Sequence, residues 1–236
     1  MPDDCVILVS GGLDSQVLLY ERQAAGWKPH AAHVILGTRQ KSAQVFAAND
    51  IALTAGVPLT FMDLSCLPEL FEGSALTDKV LPVGRTIEEI EAEGIAPTYL
   101  PFRNTVMLAL VAAYAEAHGM SAVTYGAHFS DGPHYPDTTV AYCRAMQRAL
   151  IEGSNKHIRL LSPFISFRKA EIIQLAARLC VPVGLSYTCY TGCMPSCGVC
   201  DACVARISAF VEAGYVDPIE YQREIDWKEA RPWPGG

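Results

Sequence analysis

The sequence predicts an α/β protein whose parallel sheet is covered by helices on both faces, and three observations carry that prediction. First, Val6-Ile7-Leu8-Val9 is a continuous apolar run ending in Ser10-Gly11-Gly12, the pattern of a buried parallel strand entering a tight turn. Second, strand-like and helix-like stretches alternate along most of the chain, the rhythm of strand–helix–strand units. Third, 236 residues with 50% hydrophobic content suffice for one large core, alone or with a small appendage.

In order along the chain, residues 14–25 follow the turn as a helix, with Val17, Leu18 and Leu19 apolar and Gly26 as its stop. Residues 31–36 read as the second strand, 41–55 as a helix closed by Gly56, and 58–64 as the third strand. Here the rhythm breaks. Residues 65–97 are rich in Glu, Gly and Pro and hold one short acidic helix, 86–93, so an inserted or mobile loop beside a site is expected. A strongly apolar helix, 104–118, and a fourth strand, 122–126, resume the pattern. Helices follow at 137–150 and 168–179, with an edge strand at 158–163 between them. The C-terminal part holds a cysteine cluster, a helix at 201–213 and a tail with Trp and Pro.

A net charge of -7, from 18 Lys+Arg against 25 Asp+Glu, argues against extended binding to nucleic acid but leaves room for a local basic pocket. No apolar stretch reaches the roughly eighteen residues a membrane span needs. The start, Met1-Pro2-Asp3-Asp4, is acidic where a secretory signal is basic, so a cytoplasmic protein is expected. Gly235-Gly236 is read as a disordered end.

The loop Ser10-Gly11-Gly12-Leu13-Asp14-Ser15 has the chemistry of a phosphate cradle. Two glycines let backbone amides approach an anion, and the following helix adds its partial positive end. Ser10 and Ser15 add hydroxyl donors, while Asp14 can cap the helix or help hold a magnesium ion on the phosphate. An ordinary strand-to-helix turn has the same composition. The Gly-x-x-x-x-Gly-Lys of a Walker loop is absent. Ser-Gly-Gly-x-Asp-Ser on a first strand resembles the signature of the PP-loop ATP pyrophosphatases, which adenylate a substrate and release pyrophosphate. That resemblance implies an adenine nucleotide α-hydrolase-like, doubly wound sheet, ATP bound by residues 10–15, and magnesium accompanying the ATP.

Nine cysteines are many for a reducing compartment, and five of them lie between Cys189 and Cys203. Cys189, Cys197, Cys200 and Cys203 are spaced to close a tetrahedral thiolate site, for which structural zinc is the leading reading; an iron–sulfur cluster and a redox pair are the competitors. Thr188-Cys189-Tyr190-x-Gly192 and Cys197-Gly198-x-Cys200-x-x-Cys203-x-x-Arg206 resemble the zinc segment of the 7-cyano-7-deazaguanine synthase family. Further matches are Gly37-x-Arg39, Pro97-Thr98-Tyr99-Leu100-Pro101-x-Arg103-Asn104, Gly126 with Tyr135-Pro136-Asp137, and Pro163 with Lys169-Ala170-Glu171. The resemblance implies an ATP-binding domain over 1–185 and a zinc-bound segment over 186–236 packed on it, in a homodimer. It also implies conversion of 7-carboxy-7-deazaguanine and ammonia to the nitrile preQ0 through two adenylations.

On that resemblance Asp14, Lys169 and Arg103 are the candidate catalytic residues, Lys169 as a cationic phosphate partner and Arg103 as a fork for carboxylate or phosphate. Arg39 joins Ser10, Gly11, Gly12, Leu13, Asp14 and Ser15 in the ATP site. Thr98, Arg103, Asn104, Asp131, Tyr135 and Asp137 form the candidate substrate site, with Asp131 or Asp137 facing the donor edge of the base. Each has a plainer reading. Lys169 can be a solvated helix residue, Arg103-Asn104 a helix anchor, Asp137 a first-turn acid, and His128 and His134 ordinary loop histidines.

Departures from the family pattern gather at the acceptor pocket. Leu100-Pro101-Phe102-Arg103-Asn104 carries Phe102 in place of a glycine, which is expected to abolish any positive-φ role there. Gly126-Ala127-His128-Phe129-Ser130-Asp131 lacks the family's Glu, and Gln40 replaces a His. The first zinc spacing is one residue short, with Cys193 a spare ligand. Three alternatives follow: a paralogue that transfers the activated acid to another amine, possibly on a protein; a tRNA-thiolating enzyme; and a non-catalytic nucleotide-binding partner.

Overall fold

The computed structural model describes residues 3–235. Met1, Pro2 and Gly236 lie outside the described residues, and with them part of the acidic start and of the Gly-Gly end. Five parallel strands form one sheet in the order β3-β2-β1-β4-β5. They are β1 (Asp4–Leu8), β2 (Lys28–Ile35), β3 (Leu59–Asp63), β4 (Ala122–Thr124) and β5 (Arg159–Leu161). The order reverses between β1 and β4. At such a switch point the crossovers leave in opposite directions and open a crevice at the carboxyl ends of the strands.

Alternation along β1 builds the two layers. Cys5, Ile7 and Val9 pack on α1 (Leu13–Ala24), α2 (Lys41–Ala55), α6 (Lys169–Arg178) and α7 (Asp201–Ala213). Val6 and Leu8 face α4 (Arg103–Ala117) and α5 (Val140–Gly153) on the other side. The doubly wound reading therefore holds. The C-terminal α7 shares the first of these cores through Ala209, Phe210 and Ala213.

Boundaries follow local chemistry. Helix α2 runs over 41–55 as expected because Gly56 takes φ 67° and ends it in a left-handed cap. Strand β2 begins three residues early, across Pro29. That is tolerated because β3 pairs only from Ala31 onward, leaving Pro29 an open side that needs no N–H. Helix α5 starts at Val140, not at 137, because Thr139 accepts from the Tyr142 amide while Pro136–Thr138 make a 3₁₀ turn.

Residues 65–97 are more built than an inserted loop. Phe71 and Leu76 are buried with Leu100 against Leu36, Leu64 and Tyr190, so the first half of the segment packs at the carboxyl ends of β2 and β3. Its short helix α3 (Ile87–Ala92) is set by a capping box between Thr86 and Glu89 and buries no residue of its own. The tail with Trp and Pro packs back on the body. Trp233 packs edge-on against Phe210 and Tyr215 and donates to the Val181 carbonyl (3.0 Å). A Cβ on Gly235 would lie 2.9 Å from that same carbonyl.

Candidate active site

The 10–15 turn leaves β1 at the switch point. Gly11 takes φ 82°, and a Cβ there would stand 2.5 Å from the Gln44 carbonyl oxygen. Both the conformation and the space therefore demand glycine. Gly11→Ala is expected to cost about 2–4 kcal/mol from the left-handed conformation plus overpacking, read by urea unfolding. The Ser15 hydroxyl accepts from the Ser10 amide (3.1 Å) and donates to the Gly12 carbonyl (2.9 Å), and Ser10 Oγ accepts from the Gly12 amide (3.2 Å). Tyr187 donates its amide to the Gly11 carbonyl (2.8 Å), tying the turn to the segment before the cysteines. Gly12 is the N-cap of α1 and no side chain caps it, so Asp14 is not a capping residue. The first amides of α1 stay available to an anion. Leu13 is core, and only its backbone belongs to the turn.

Asp14 instead faces α6. Glu171 accepts from the Arg168 amide (2.7 Å) and fixes the start of that helix, which sets Lys169 Nζ 2.9 Å from Asp14 Oδ2. Burial would raise the Asp14 pKa, but the Lys169 ammonium and then His128 hold it below its ordinary value. Burial opposes the Lys169 charge as well, and Asp14 followed by Asp131 keeps its pKa above the ordinary lysine value. His128, 2% exposed, lies with Nε2 3.8 Å from Asp14 Oδ2 and 3.3 Å from Asp131 Oδ2, out of line for a hydrogen bond to either.

A cavity of about 370 Å³ joins this cluster to the phosphate turn and to the start of α4. Its wall includes Ser10, Gly12, Asp14, Ser15, Arg103, Asn104, Asp131, Tyr135 and Lys169, which brings most of the anticipated site residues together. Four side chains on that wall carry buried polar atoms without a protein partner: Asp14 Oδ1, Gln40 Oε1, Arg103 Nε and both ring nitrogens of His128. Such atoms are costly to bury unpaired, and their concentration on one cavity marks where a polar ligand would pair them.

Three anticipated residues support the wall without forming it. Arg39 reaches the carbonyls of Ala75 (3.3 Å) and Lys79 (2.8 Å), so it braces the 74–79 turn and does not line the cavity. Thr98 is buried and its hydroxyl pairs with the Tyr135 hydroxyl at 2.7 Å. Asp137 is buried and accepts from the Asn104 amide (2.9 Å), capping α4; it holds the Arg103-Asn104 step and does not line the cavity. Phe102 contradicts the expectation drawn from its side chain. It keeps a positive φ of 53° as the N-cap of α4, with the residue 68% exposed, and so accepts the steric cost a glycine would avoid.

Cys189, Cys197, Cys200 and Cys203 are buried, with their sulfurs all within 4.8 Å of one another. Backbone amides point at these sulfurs: Cys197 N to Cys189 Sγ (3.4 Å), Tyr190 N to Cys200 Sγ (3.4 Å) and Cys200 N to Cys197 Sγ (3.3 Å). Such donors suit thiolates held on a cation. Cys193 stands outside the group, 3.9 Å from Cys189 Sγ, and is partly exposed. The centre borders the cavity directly, since Tyr190, Asp201 and Ala202 line it.

The family model for queuosine biosynthesis protein QueC matches residues 4–214. The chain belongs to the QueC family. It is 34% identical over 223 residues to a 7-cyano-7-deazaguanine synthase of Caldicellulosiruptor bescii, covering 94% of this chain and 99% of that one. A protein of the same name from Acidobacterium capsulatum is 39% identical over 92% of this chain and 95% of its own. Among solved structures, a 4-thiouridine synthetase–RNA complex with bound ATP aligns with TM-score 0.50 at 17% identity, over 83% of this chain and 44% of that one. That likeness is one of fold.

Within this QueC-family site, several wall residues escaped the sequence reading. His33 is buried in β2 and donates Nδ1–H to the Val9 carbonyl (2.8 Å), which leaves Nε2 an acceptor; burial lowers its pKa, so the ring is neutral. Its signal was only a polar residue inside an apolar strand. The sequence singles out His128 but reads it as an ordinary loop histidine; what sets it apart is its place beside Asp14 and Asp131 on the cavity wall. Arg85, Glu93 and Tyr187 reach the wall through tertiary packing that no local pattern announces.

Proposed function

We propose that this protein is a 7-cyano-7-deazaguanine synthase, an ATP-dependent ligase that turns 7-carboxy-7-deazaguanine and ammonia into preQ0. The observation that carries the reading is one cavity in which the Ser10–Ser15 phosphate turn meets the unpartnered Arg103 Nε and His128, in a chain of the QueC family. The turn amides and the Lys169 ammonium hold the phosphates, and Arg103 donates to the substrate carboxylate. A carboxylate oxygen attacks the α-phosphorus and pyrophosphate leaves. Ammonia then adds to the acyl-adenylate, AMP leaves, and a proton is lost to give the amide. The amide oxygen attacks the α-phosphorus of a second ATP and a second pyrophosphate leaves. Loss of the N–H protons with the second AMP completes the nitrile.

In this reading the four cysteines bind zinc, whose place is structural because four thiolates leave no open position for substrate. It fastens Tyr190 and the start of α7 to the cavity wall. Magnesium accompanies ATP, and the protein is a cytoplasmic homodimer, a state sedimentation velocity would separate from monomer. The paralogue and thiolation alternatives have no support beyond the pocket departures and a shared fold, and the five unpartnered polar atoms on four cavity side chains argue for a working site over a non-catalytic one.

The scheme fixes the fate of oxygen. With substrate carrying heavy oxygen in both carboxylate positions, every AMP should carry one labelled oxygen, because the acid's two oxygens leave on the two AMP molecules. AMP released unlabelled would mean that water, not the acid, attacks ATP.

A further inference from the structure

We infer that Arg85 is a positioning residue, a latch that fastens residues 83–96 as a closing strap over the cavity. The inference rests on the proposed function for the identity of the ligands but not for the motion. Arg85, Ile87, Ile90, Glu91, Glu93 and Ala96 line the same cavity as the phosphate turn and Lys169. The strap is tied at both ends by backbone. At one end Val83 bridges to Cys200 and the Gly84 amide donates to the Val199 carbonyl (2.8 Å). At the other the Ala96 amide donates to the His134 carbonyl (3.2 Å), and His134 Nδ1–H donates to the Gly94 carbonyl (3.1 Å).

Between those ends the strap rests on α7 with Ile87 and Ile90 only partly covered. Helix α3 buries none of its residues, and its capping box is internal to the strap. Among the described residues the polar attachment of this middle part to the body is Arg85. Its Nε donates to Asp201 Oδ1 (3.0 Å), a second nitrogen pairs with the other Asp201 oxygen, and the third reaches Glu93 (2.5 Å). The fork is partly covered, with side-chain exposures of 21% for Arg85 and 11% for Asp201. Asp201 directly follows Cys200, so the latch closes onto the loop that the cysteine centre organises.

Glycines bracket the strap. A Cβ on Gly84 or Gly94 would meet nothing within 4 Å, so neither is required for close packing. Gly84 takes φ 76°, a conformation glycine enters freely. A short helix with no core, glycines at its ends and one charge-assisted fork is the construction of a segment that opens at low cost and recloses in register. Closure over ATP and the acid would exclude water from the acyl-adenylate, which hydrolyses if exposed.

Hydrogen–deuterium exchange on the intact protein tests this, comparing wild type with Arg85→Gln and Arg85→Lys. Peptides within 83–96 should exchange on the order of tenfold faster in Arg85→Gln, with β1 and β4 peptides unchanged. Arg85→Lys, which keeps the charge but loses the fork, should fall between. A non-hydrolysable ATP analogue should slow strap exchange in wild type and slow it less in Arg85→Gln. KM for ATP should rise several-fold while kcat moves less. Should Arg85→Gln loosen β1 and β4 as well, the Arg85→Lys comparison decides. Strap exchange at the wild-type rate in Arg85→Lys and Arg85→Gln would overturn the latch, whatever substrate the enzyme uses.

Discussion

Replacing Lys169 by methionine is expected to lower the rate of AMP formation about 10²–10³-fold, the loss typical of removing a preorganised cation from developing phosphate charge. The reasoning starts from position. Lys169 is the first residue of α6, its Nζ lies 2.9 Å from Asp14, and both line the cavity with the phosphate turn. Stability should fall too, but moderately. Breaking a fully buried pair costs about 3–5 kcal/mol, whereas these side chains keep 17% and 25% exposure toward the cavity, so about 1–3 kcal/mol is expected. The double variant Lys169→Met, Asp14→Asn should regain most of the stability and none of the rate. Recovery of both would mean that the lysine only neutralises Asp14.

The sign of the pH dependence follows from the same pair. Asp14 is depressed below 3.8, so its stabilising contribution is present above that pH and is lost only as pH falls through the lower folded value. Lys169 is raised above 10.5, so its contribution is present below that pH and is lost as pH rises through the higher folded value. Through the neutral range the pair keeps its charge. In Lys169→Met the burial that raises the Asp14 pKa loses its main opponent. The variant should therefore lose stability as pH climbs above 3.8, a slope wild type lacks. Urea unfolding at several pH values reads the difference.

Arg206→Met should be the most destabilising single change, about 3–5 kcal/mol by urea unfolding. Both side chains of the Arg206–Asp217 pair are 0% exposed. Arg206 Nε donates to Asp217 Oδ2 (2.5 Å) and a terminal nitrogen to Oδ1 (2.9 Å). The remaining donors reach Ser186 Oγ (2.7 Å), Thr188 Oγ1 (3.1 Å) and the Val183 carbonyl (3.3 Å), while Tyr221 donates to Asp217 (2.8 Å). Methionine fills much of the volume and leaves Asp217 buried without its cation. Lysine should rescue little, because one ammonium cannot replace a fork that spans the carboxylate and the 183–188 segment. Activity should fall with stability, since that segment holds the phosphate turn through Tyr187 and the Gly11 carbonyl. Arg206→Met combined with Asp217→Leu should recover much of the loss, since no buried charge is then left unpaired.

Punctuation explains what could be read in advance. Gly56 and Gly214 both adopt left-handed φ and end α2 and α7 where the pattern put the ends. The phosphate turn and the four cysteines were visible because each packs its chemistry into a short, locally determined segment. What could not be read depends on distant partners. For Asp137 the sequence left a base-facing role and a first-turn role open, and no local pattern told that the Asn104 amide, thirty-three positions away, would hold its carboxylate. Arg206 stood in the cysteine motif as a matched letter, with no sign that Asp217 and Ser186 would enclose it. The 65–97 segment is rich in Glu, Gly and Pro, yet Phe71 and Leu76 within it are buried against Leu100 and anchor its first half. Composition averages over a segment, whereas packing is decided by a few side chains within it.

The most direct test of the account is turnover by the purified protein with 7-carboxy-7-deazaguanine, MgATP and ammonium, followed by mass spectrometry. The account predicts preQ0, with two AMP formed for each nitrile and none without the acid. Folded, metal-loaded protein that forms no AMP under these conditions would contradict it.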